Sequence, residues 1–91
     1  MQDSISVSIL NSEGTVFDGE VKALSSINEM GPFDVLPLHS NFISIIKDKV
    51  VVYLKSGGSK EFKVDSGILK AAENKIQVFL GIETLADLSE A

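Results

Sequence analysis

The chain has 91 residues and a formal net charge of −5, from eight Lys, no Arg and thirteen acidic side chains. That balance speaks against nucleic-acid binding, which calls for a basic face and often Arg forks, and against a membrane-surface helix. Zero Cys excludes a disulfide frame and a thiolate metal site, and the apolar runs fall far below the ~18–20 residues of a membrane span.

The start, Met1-Gln2-Asp3-Ser4, lacks the positive n-region of a signal peptide. At 44% hydrophobic the chain is too apolar to be disordered. One modest core fits this length, with little left over for a deep catalytic pocket. The composition points to a small, soluble, acidic, intracellular domain.

In chain order the pattern is β nearly throughout. Residues 4–9 alternate strictly, with Ile5, Val7 and Ile9 on one face and serines on the other. Asn11-Ser12-Glu13-Gly14 is turn chemistry. A short strand over 15–18 breaks at Gly19, and a strand over 20–27 follows, with Val21, Ala23 and Ser25 on one face. Residues 28–34 read as a loop, then Val35 and Leu36 lead to Pro37.

Residues 42–47 are rich in β-branched side chains, and Lys47-Asp48-Lys49 reads as a polar corner. The strand over 50–55 meets Gly57-Gly58, a two-residue hairpin signal. The returning strand over 60–64 turns at Asp65-Ser66-Gly67. A short strand over 68–72, a tight turn at Glu73-Asn74-Lys75 and a strand over 76–82 complete the pattern. Only residues 84–91 look helical, and they are too few to hold a helix alone. Many short strands joined by Gly and Asn turns predict one all-β sandwich or barrel.

Few residues offer chemistry. His39 is the single His, with Ser40 and Asp34 as nominal partners, but triads are recognised by geometry rather than spacing. A His that fixes the turn after Pro37, or meets a partner, outweighs a general base in so small a domain. The carboxylates show no metal-ligand spacing. Ser56-Gly57-Gly58-Ser59 lacks the helix and Lys of a phosphate loop. The stretch over 30–42 is different, holding both prolines, His39 and the apolar Met30, Phe33, Leu36, Leu38 and Phe42. Exposed Phe33 and Met30 would mark an interface; buried, they would be core.

The segment Gly31-Pro32-Phe33-Asp34-Val35-Leu36-Pro37-Leu38-His39-Ser40-Asn41-Phe42 resembles the Gly-x-x-Gly-Ile-Leu-Pro-Gly-His-x-Pro-Leu run of the epsilon subunits of F-type ATP synthases. Val16-Phe17-Asp18-Gly19-Glu20-Val21 is similar to that family's Leu-Phe-Ser-Gly-Glu-Val. Val64-Asp65-Ser66-Gly67-Ile68-Leu69-Lys70 and Lys75-Ile76-Gln77-Val78-Phe79-Leu80 resemble two further family segments, in the family's order and spacing. Pro32 stands where many members have an acidic residue, and Leu38 replaces the Gly before His39.

The resemblance implies a ten-stranded β-sandwich over residues 1–83 and a short tail over 84–91, without the C-terminal helical domain of many members. It implies a non-catalytic rotor subunit of the central stalk, without cofactor or metal. Its partners would be the gamma subunit and the polar loops of the membrane c-ring, with no nucleic acid and no direct membrane insertion. Its place would be peripheral, at the cytoplasmic face of the cell membrane. On this resemblance Glu29, Met30, Gly31, Pro32, Phe33 and Asp34 face the ring, while His39 and Asn11 lie towards gamma. The rival is a stand-alone β-sandwich adaptor that binds a peptide or protein partner along a sheet edge. A small hydrolase using His39 is the weakest reading.

Overall fold

The computed structural model describes residues 4–37 and 41–81; the predicted helical tail, and His39, lie outside them. Six strands follow in order: β1 (Ile5–Asn11), β2 (Gly14–Asn28), β3 (Gly31–Val35), β4 (Phe42–Leu54), β5 (Ser59–Ala72) and β6 (Lys75–Leu80). They form one sheet in the order β1-β6-β5-β4-β2-β3, and a second pairing between β1 and β2 closes it. The all-β sandwich expectation holds, but the strands are fewer and longer than the pattern suggested.

Bulges account for the difference, because a bulge bends a strand without ending it. Opposite β5, the pairs Ile46↔Gly67 and Asp48↔Val64 leave one more residue on β5 than on β4, and Asp48 takes φ 71°. The predicted corner at Lys47-Asp48-Lys49 and the predicted turn at Asp65-Ser66-Gly67 are therefore two sides of one bend. Gly67 is there for space. A Cβ at this position would lie 2.9 Å from the Phe79 carbonyl oxygen.

A second irregularity bends β2, where Val21↔Leu54 and Ala23↔Tyr53 leave Lys22 unmatched. The inward parity shifts there, so Val21, Leu24 and Ser26 are buried. The expected face of Val21, Ala23 and Ser25 is thus corrected by one inserted residue. Counting β2, β4 and β5 as two segments each brings the six strands to nine, against ten expected.

Beyond Lys22, β2 exchanges β1 for β3 along the same edge, since β4 occupies the other. This lets the two layers close over one core of Ile, Val and Leu, with Phe17, Phe33, Phe42 and Phe62 packed at its margins. Ser26 is a buried polar residue in that wall. Its hydroxyl donates to the Lys49 carbonyl at 2.7 Å, a group that the β4 bulge releases from the ladder.

The turns follow from local chemistry. Glu73 and Asn74 take φ 53° and 65°, a left-handed pair that suits a two-residue hairpin. At Gly57-Gly58 the loop is longer than expected, four residues between Leu54 and Ser59. It is closed by Gly57 N to Leu54 O and Leu54 N to Gly58 O, each 3.0 Å.

Candidate docking surface

The segment expected to be a loop over 28–34 is a tight turn followed by an edge strand. Asn28 and Gly31 pair across Glu29 and Met30. The Asn28 side-chain oxygen accepts from the Met30 backbone N–H at 2.8 Å, an Asx turn. Its amide nitrogen donates to Ser44 Oγ at 3.1 Å and ties the turn to β4. Gly31 takes φ 117°. Pro32 reads as a strand breaker in sequence, yet it sits in β3, where an edge position tolerates a missing N–H.

This geometry divides the predicted residues. Met30 is 90% exposed at the turn, and Glu29 beside it is exposed too. Pro32 and Asp34 are exposed on β3, with Asp34 accepting a hydrogen bond from Ser25 Oγ. Phe33 is half-buried and packs against the core, edge-on to Phe42 with ring centroids 6.1 Å apart. Asn11 is exposed at the other end of β2, where its side-chain oxygen accepts from the Glu13 N–H at 2.8 Å. Asn11 and Met30 are therefore brought to opposite ends of one bent strand, while the residues from Glu29 to Asp34 stay together.

Two surface residues escaped the sequence reading. Ile43 is 68% exposed and Ile45 is 65% exposed on the outer side of β4. With Asn28, Glu29, Met30 and Ser44 they line one open depression. The alternation test misses them because Phe42, Ile43, Ile45 and Ile46 place apolar residues at both parities. The usable signal was that excess itself, since a strand with one wet face needs only every second residue apolar.

Among the described residues no group of three or more His, Cys, Asp or Glu gathers in space, and no helix is long and apolar enough to cross a membrane. What the surface offers is an exposed Met and two exposed Ile beside a tight turn, on a sheet closed by hydrogen bonds. That is the make-up of a β-sandwich docking module, since contiguous exposed apolar side chains mark contact sites.

Residues 4–81 match the family described as ATP synthase, Delta/Epsilon chain, beta-sandwich domain, and the chain belongs to it. It is 31% identical over 74 residues to the ATP synthase epsilon chain of a Nitratiruptor species, covering 80% of this chain and 57% of that one. With the epsilon chain of Clostridium botulinum (strain Hall) it shares 30% over 79 residues, 86% of this chain and 59% of the relative. It thus spans less than two thirds of the curated relatives it matches.

Among solved structures, a chain of the Euglena gracilis mitochondrial ATP synthase (OSCP/F1/c-ring) superposes with a TM-score of 0.81 at 14% identity, over 99% of this chain and 64% of that one. One from the Tetrahymena thermophila mitochondrial ATP synthase (central stalk/c-ring) gives 0.71 at 9%, over 87% and 63%. At such identities these two bear on the fold alone.

Proposed function

We propose that this domain serves as a non-catalytic rotor piece of an F-type ATP synthase, fixing the gamma subunit to the membrane c-ring so that torque from ion flow reaches the ATP-making head. The reading rests on family membership. The observation that carries it is the exposed Met30, Ile43 and Ile45 set on a closed, cross-braced sheet. A coupling element needs stiffness and contact patches, and neither a pocket nor a cofactor enters this mechanism. In this reading Glu29, Met30, Gly31, Pro32, Phe33 and Asp34 meet the polar loops of the ring, while Asn11 and His39 meet gamma. The domain then sits peripherally at the cytoplasmic face of the cell membrane, held by protein contacts.

The acidic balance of the chain favours encounter with basic partner surfaces and sets register more than it adds affinity. A stand-alone adaptor is the second reading, supported by the open outer edge of β3, which an extended peptide can extend by strand addition. Co-purification with the cognate gamma subunit, followed by calorimetry, separates the two. A one-to-one complex weakened by His39→Ala supports the rotor reading. Absence of binding between two folded proteins transfers the weight to the adaptor.

A further inference from the structure

On the outer side of the closed sheet, four apolar residues from four neighbouring strands fall in one register row. Ile45 of β4 pairs with Ile68 of β5, Ile68 with Phe79 of β6, and Phe79 with Leu10 of β1. At the ~4.8 Å spacing of neighbouring strands the row is about 14 Å long. Ile45 and Phe79 are exposed, the latter at 41%, while Ile68 and Leu10 are partly exposed. None of the four is among the residues packed on the core.

The row joins two places that β2 holds apart. At one end Leu10 precedes Asn11, and at the other Ile45 shares its depression with Met30. Beside the row lies Lys70, exposed, with Ile43 directly across from it and Ile68 two residues away on the same face. A lysine set among three isoleucines keeps its stem on apolar surface and its ammonium outward. Its charge is complementary to a carboxylate arriving within an apolar surround.

We infer that this row, with Lys70, is the seat of the gamma subunit, and that its occupant is an apolar strip of gamma about 14 Å long bearing one acidic side chain opposite Lys70. The inference rests on the proposed rotor function and deepens it. The seat runs from Asn11 to the ring-facing turn, so one continuous contact bridges the two patches, and a twist applied at either end is carried by the hydrogen-bonded sheet beneath.

The test uses the full chain with its cognate gamma subunit, comparing wild type, the double variant Ile45→Ser/Ile68→Ser, Lys70→Glu, and Lys63→Glu as a charge change elsewhere on β5. Circular dichroism and thermal melts establish first that each variant is folded. The expected result is a Kd weakened roughly 30-fold or more by the double variant and about tenfold by Lys70→Glu, with Lys63→Glu within about twofold of wild type. A charge reversal of the facing acidic residue in gamma restores the Lys70→Glu complex.

If wild type binds gamma and folded row variants bind it equally well, the seat is elsewhere and the inference falls while the rotor reading stands. If wild type fails to bind gamma, the rotor reading falls and takes the inference with it. Self-association of wild type, abolished by Ile45→Ser/Ile68→Ser, assigns the row to a second copy and overturns the proposal.

Discussion

Two adjacent rows cross the same four strands, and they have opposite fates. The inner row runs Ser44, Leu69, Val78 and Ile9, and the outer row runs Ile45, Ile68, Phe79 and Leu10, one residue along each strand. Leu69, Val78 and Ile9 are fully buried, while every member of the outer row keeps contact with solvent. The outer row is nevertheless the more apolar of the two, since a serine stands in the inner one. Hydrophobicity alone therefore does not separate what holds this domain together from what it offers to a partner. Closure of the sheet does, by fixing which side of each strand faces the core.

The sharpest way to break this contrast is to truncate one residue in each row. Leu69→Ala removes a fully buried side chain from the middle of the inner row and leaves a cavity that the surrounding strands cannot fill. The expected cost is about 2–5 kcal/mol, read from the midpoint of urea unfolding at unchanged m-value. In a domain of this size that is a large share of total stability.

A smaller effect is expected at Gly67, next to Leu69's neighbour Ile68 and on the inward side of the bend in β5. Its α-carbon faces the Phe79 carbonyl so closely that an added methyl must push the backbone of β6 away. Gly67→Ala is therefore expected to cost about 1–3 kcal/mol, in the range of other overpacked sites, seen as a lowered Tm. A neutral outcome would mean that β6 yields freely, and with it one support of both rows.

Much of this was legible in the sequence, and the exceptions have one cause. The strict alternation of Ile5, Val7 and Ile9 with serines identified β1 and its faces, and Asn11, Gly14 and Asn74 marked true turns. The resemblance of the segments around Phe17, His39, Gly67 and Val78 identified the family. Errors arose wherever a strand bends. Lys22, Asp48 and the Asp65-Ser66-Gly67 run carry the composition of turns, but long-range pairing absorbs them as bulges. Pro32 deceived in the same way, because only the finished sheet shows that β3 is an edge. The exposed Ile43 and Ile45 were illegible for a related reason, as both parities of that segment are apolar.

The smallest expected effect is the most informative about the contrast. Ile45→Thr keeps a β-branched side chain in β4 and replaces one of its carbons with a hydroxyl that solvent can reach. If Ile45 owes nothing to the core, the change in unfolding free energy stays within about 0.5 kcal/mol of zero. The same substitution should then be felt only in the presence of a partner. A loss above about 1 kcal/mol in the isolated chain would show that the outer row braces the sheet by packing along itself, through Ile68 and Phe79. In that case the two rows would differ in degree rather than in role. A silent Ile45→Thr beside a costly Leu69→Ala instead assigns stability to the inner row and leaves the apolar character of the outer one to be explained by what docks on it.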